Sequence, residues 1–143
     1  MSTIGTLWAD ETLPIRDGLY TAAGDSYAAR LDPTKPGGVA ITGKFDLDEF
    51  LASDPDNVTS IDMHWPVELP DDAGWVFKGE GSYGSEGFFG RLDKDKKLVW
   101  VMYFERSNPF VDITVSADVA IFTSSSDITV SVYLDRPWVE IPS

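Results

Sequence analysis

Apolar and polar residues alternate along much of this chain with a period of two, the period of a strand whose side chains point to opposite faces. Val111, Ile113 and Val115 alternate with Asp112 and Thr114, and Ile128, Val130, Val132 and Leu134 alternate with Thr129, Ser131 and Tyr133. Each stretch predicts a strand with one buried and one wet face. Thr123 to Asp127 reads as a turn between them, which predicts an antiparallel hairpin extended upstream through Ala117 to Phe122. Leu98 to Phe104, with the sequence LVWVMYF, does not alternate. An uninterrupted apolar run rich in β-branched and aromatic residues predicts a central strand covered on both faces.

Further strands are expected at Leu19–Ala23 and Tyr27–Leu31, as a hairpin around Gly24-Asp25, and at Val39–Gly43, Val58–His64, Trp75–Glu80 and Phe88–Leu92. Five glycines between Gly79 and Gly90 mark bulges or tight hairpins. One stretch has a helical period. Asp46 is placed to cap a helix through Ala52, Glu49 stands three residues after the cap, and Leu47, Phe50 and Leu51 share a face. Ser53-Asp54-Pro55 ends it. The pattern as a whole predicts a mostly β chain. It forms a single domain over residues 1–143, an antiparallel sheet folded as a sandwich or curled barrel, with one short helix near residues 46–53.

Composition removes several chemistries. The 143 residues include no cysteine and one histidine, His64, so thiolate metal sites, disulfides and His-pair metal sites within one chain are excluded. No apolar run is long enough for a membrane-spanning helix, and the N-terminus lacks the basic and apolar pattern of a secretory signal, so the cytoplasm is the expected location. Gly79-Glu80-Gly81-Ser82-Tyr83-Gly84 matches the dinucleotide-binding spacing, but a glycine-rich strand follows where a helix is required. No cofactor and no dedicated metal site are expected. His64 has Asp62 two residues away on the same strand face, a pairing that suits a general base, although a lone strand histidine more commonly serves structure.

Charge changes the picture most. With 11 basic and 24 acidic residues the net charge is -13, which argues against nucleic acid as a partner. Nine acids lie between Asp46 and Asp72, and no Lys or Arg occurs between Lys44 and Lys78. Such a block is either a solvated face or a docking surface. Read as the latter, the candidate protein-binding residues are Asp46, Asp48, Glu49, Asp54, Asp56, Glu68, Asp71 and Asp72, with Trp65 and Phe45 as aromatic anchors. Phe50 and Trp75 are expected in the core. The expected function is that of a non-enzymatic acidic protein that neutralises a basic, toxin- or nuclease-like partner, as an immunity or antitoxin-type inhibitor of a bacterial toxin. Two alternatives are a β-barrel or sandwich binding a small apolar ligand among its aromatic residues, and a carboxylate-dependent hydrolase.

Overall fold

The computed structural model describes residues 2–142. Its elements are α1 (Thr3–Ala9), β1 (Thr12–Pro14), β2 (Gly18–Thr21), β3 (Ser26–Leu31), β4 (Val39–Lys44), α2 (Leu47–Ser53), β5 (Val58–Met63), β6 (Val67–Glu68), β7 (Trp75–Gly81), β8 (Gly87–Leu92), β9 (Leu98–Phe104), β10 (Phe110–Ser116), β11 (Val119–Ser124) and β12 (Thr129–Tyr133). A nine-stranded sheet runs in the order β1-β5-β7-β8-β9-β2-β3-β4, with β6 continuing the β5 line along β7, and a three-stranded sheet runs β10-β11-β12. Every pairing is antiparallel. The architecture is sandwich-like, and no closed barrel forms among the described residues. No helix among the described residues is long and apolar enough to cross a membrane.

Both faces of the large sheet are covered, which is why its central strands need no polar alternation. On β9, Trp100, Met102 and Phe104 join one core with the small sheet, while Val101 and Tyr103 join a second core with the helices. The same division repeats at Leu19 and Tyr20, at Val76 and Phe77, and at Phe89 and Phe88. Phe89 is the centre of the inter-sheet core. Its ring stacks on Phe122 at 4.0 Å and meets Phe110 edge-on at 4.8 Å. On the helix side, Gly79 and Gly90 lend their missing side chains as space. A Cβ on Gly79 would lie 2.5 Å from the Phe88 ring, and one on Gly90 2.6 Å from the Phe77 ring. Glycine here permits cross-strand aromatic rings to lie flat on the sheet.

Helix α2 forms where its cap and apolar face predict it. The Asp46 carboxylate accepts the Glu49 N–H at 3.1 Å, and Leu47, Phe50 and Leu51 pack into the helix-side core. Trp75 packs there too. Helix α1 is a second helix, which the strand-dominated reading omits. Ser2 caps it by accepting the Gly5 N–H at 3.2 Å, and Ile4, Leu7 and Trp8 face the same core. Their i, i+3, i+4 spacing is the legible signal.

Two other expectations change. The stretch read as one strand through Ala117 is two, because Ala117-Asp118 forms a two-residue turn in which Ala117 takes φ 55°. No glycine, asparagine or proline marks that turn. Val111 is also not on the buried face. A register shift between Phe110 and Asp112 turns it outward, so Phe110 rather than Val111 fills the core.

Candidate binding surface

The register of the large sheet decides where the acidic segment lies. Trp75 pairs with Leu92, Leu92 with Leu98, Thr21 with Trp100, and Tyr27 with Lys44, so these positions share one end of the strands. Asp46 and Asp48 leave β4 at that end, and Asp71 and Asp72 turn β6 into β7 there. Helix α2 then carries the chain to the opposite end. There the Asn57 carbonyl accepts the Ile15 N–H and β5 starts beyond Gly81. Asp54 and Asp56 therefore stand at the far end, separated from Asp71 and Asp72 by the length of β5 and β6, roughly 30 Å at strand rise. Asp62 lies midway, opposite Glu80. The segment that is continuous in sequence is thus dealt to both ends of the sheet.

None of the nine carboxylates between Asp46 and Asp72 takes part in an ion pair with Lys or Arg among the described residues. Some have local work. Asp46 caps α2, and Asp48 accepts the Thr3 hydroxyl, tying the two helices together. Asp71 and Asp72 occupy the two central positions of a turn closed by the Ala73 N–H donating to the Pro70 carbonyl at 3.2 Å. Both take positive φ, 59° and 55°, the mirror-image turn that suits a hairpin and that Asp tolerates better than most residues. That turn is anchored from behind. Arg91 donates to the Ala73 carbonyl at 2.8 Å, to the Leu134 carbonyl at 3.2 Å and to Asp135 at 2.6 Å.

The two aromatic candidates separate. Phe45 is not a surface anchor. It meets Tyr20 and Phe50 edge-on, and the Arg16 guanidinium lies 3.7 Å over its ring. Trp65 is 91% exposed, the most open large apolar side chain among the described residues. It sits in the irregular link between β5 and β6, at the mouth of an open groove shared with Trp8, Met63, Leu92 and Lys96. Glu68 follows on β6, with Asp71 and Asp72 in the next turn. Three carboxylates without an ion pair among the described residues thus follow the exposed indole within seven residues of chain, toward the β6–β7 turn.

His64 is held from β7. Its N–H extends the ladder to the Lys78 carbonyl at 2.9 Å, its Nε2 lies 3.2 Å from Glu80 Oε1, and its Nδ1 lies 3.4 Å from Lys78 Nζ. Glu80, rather than the sequence neighbour Asp62, is its hydrogen-bonding carboxylate. Neither Lys78 nor Glu80 figures among the residues singled out from the sequence, because the register that brings them to His64 is not written in either strand alone.

A second polar cluster is sealed at the far end of the strands. Glu86 is 1% exposed and accepts from the Thr59 hydroxyl at 2.9 Å, the Tyr83 N–H at 3.0 Å and the Tyr103 hydroxyl. Burial, followed by the bond to Glu86 and that carboxylate's charge, pushes the Tyr103 phenol far above its ordinary value. Burial does the same to Tyr20, whose hydroxyl donates to the Arg16 carbonyl at 2.6 Å.

Set against protein-family models, curated proteins and solved structures, the chain matches none.

Proposed function

We propose that this chain is a non-enzymatic binding protein that docks a basic protein partner on the rim around Trp65. In its most specific form it is an inhibitor of the immunity or antitoxin type that covers a cationic enzyme. The observation that carries this reading is the 91% exposure of Trp65, followed along the β6 line by Glu68, Asp71 and Asp72, none of which has a basic partner among the described residues. An indole of about 150–250 Å² left in water forgoes roughly 4–6 kcal/mol of burial at 25 cal/mol per Å². A binding partner recovers part of that, after the cost of ordering both surfaces. The carboxylates have a separate task. Unpaired charges of one sign raise the encounter rate with an opposite surface by about 10–10³-fold at low salt, and they accept bidentate bonds from arginine on contact. Because the Pro70–Ala73 turn is closed and Arg91 holds it, Asp71 and Asp72 are presented without a large ordering cost.

The test is affinity capture from the native organism's extract at low salt, with the wild-type chain compared against a triple variant, Trp65→Ala with Asp71→Asn and Asp72→Gly. The expected result is a protein of basic isoelectric point that the wild type retains, that salt releases, and that the variant fails to retain. Capture of the same proteins by both chains, or of none that is basic, overturns the reading.

A further inference from the structure

The polar cluster on β5 and β7 poses a question that the docking surface does not answer. Asp62 and Glu80 are direct cross-strand partners. Like charges in that arrangement repel and weaken the pairing, so the placement costs stability as it stands. His64 lies two residues beyond Asp62 on the same face, and its backbone N–H keeps it in the ladder. One ligand atom from each of Asp62, His64 and Glu80 lies within 4.8 Å of the others, and the His64 Nε2 to Glu80 Oε1 separation is 3.2 Å. Ligands held at about 2.0–2.2 Å from one ion stand roughly 3–3.6 Å apart at tetrahedral or right angles. The histidine and Glu80 already have that spacing. Asp62 is exposed, so rotation of its side chain closes the remaining gap.

We infer that Asp62, His64 and Glu80 form a binding site for a divalent transition-metal ion, with Zn²⁺ the best match. The donor set argues for this choice. Calcium and magnesium take oxygen ligands and gain little from an imidazole, whereas one imidazole nitrogen with two carboxylates suits zinc. Three protein ligands leave the fourth position open to solvent, the arrangement of an accessible zinc site. The ion would cancel the repulsion between Asp62 and Glu80 and fasten the β5 strand to β7. Lys78 is the opposing group. Its ammonium lies 3.4 Å from His64 Nδ1, and metal bound at Nε2 requires Nδ1 to carry the proton, so Lys78 must swing away when the ion enters.

The unique histidine makes the test site-specific. The full chain, labelled with ¹⁵N at histidine, is titrated with ZnCl2 in moderate salt while the imidazole resonances and the bound metal are followed. One equivalent of zinc is expected to shift and saturate the His64 signals. His64→Gln and Asp62→Asn should each weaken binding more than about tenfold, and Lys78→Gln should tighten it severalfold. Asp62 is exposed and His64 and Lys78 are half-buried, and far-ultraviolet circular dichroism checks that each variant keeps its fold. Should either ligand variant unfold, the wild-type imidazole shifts together with the Lys78→Gln affinity decide the matter. Unmoved His64 resonances in excess zinc overturn the inference. So does an affinity indifferent to His64→Gln, which would mark diffuse attraction of cations to a chain of net charge -13.

Discussion

The β8–β9 pair and the β5–β6 line lie on opposite sides of β7 in one sheet, yet they are made of different material. In β8 and β9 nearly every residue is buried, including Phe88, Phe89, Trp100, Met102, Tyr103 and Phe104. In β5 and β6 only Thr59 is buried, and the stretch ends in Trp65 and Glu68 facing water. The first pair is covered by a helical layer and by a second sheet. The second lies near the sheet's edge, where neither layer reaches fully. Stability is therefore concentrated in one region while the unpaired chemistry, the exposed indole and the histidine cluster are gathered in the other, so substitutions in the two regions should have separable consequences.

The largest effect should come from the centre of the packed region. Phe89→Ala removes a ring that contacts Trp100, Phe104, Phe110 and Phe122, and is expected to cost about 3–5 kcal/mol in chemical denaturation. Trp65→Ala should stay within about 0.5 kcal/mol of wild type. Comparable losses at both positions would erase the contrast. Gly90→Ala should follow at about 1–3 kcal/mol, since the added methyl meets the Trp100 carbonyl at 2.3 Å and the Phe77 ring at 2.6 Å, and neither buried group can move freely.

Alkali probes the same region from within. The folded-state phenols of Tyr20 and Tyr103 titrate above the unfolded value, so the folded state holds their protons longer. Their contribution is fully present below about pH 10 and is lost as pH rises beyond it, because the unfolded chain then releases protons that the folded chain keeps. An ultraviolet titration should show that these two of the five tyrosines do not ionise until the chain unfolds. Ionisation of all five near pH 10 in folded protein would contradict the assigned burial.

The smallest stability change should come from the exposed region. Asp71→Asn with Asp72→Gly places residues favoured at both positive-φ positions of the turn, so the unfolding free energy should hold or rise by no more than about 0.5 kcal/mol while two charges disappear. A marked loss of stability would mean that these carboxylates serve the fold rather than a partner.

What the sequence made legible follows the same division. The unbroken apolar run of β9 announced a strand covered on both faces, and Asp46 with its apolar stripe announced α2, because each signal is local. The separation of Asp54 and Asp56 from Asp71 and Asp72, and the meeting of His64 with Glu80 and Lys78, depend on register between distant strands, which no single stretch encodes. The Ala117-Asp118 turn was hidden for a different reason. Asp118 is a common turn residue, but Ala117, which takes the positive φ, is not, and the pairing of the flanking strands holds it there.

The central claim, that the rim around Trp65 is a surface for a cationic protein, is tested most directly by the association rate of a captured partner at low and high salt. At about 0.05 M salt the rate should exceed that at about 0.5 M by roughly tenfold or more, since charges separated by more than a Debye length cease to steer, and the Asp71→Asn, Asp72→Gly chain should show a shallower dependence. Equal rates at both salt concentrations, or identical salt dependence for the two chains, would contradict it.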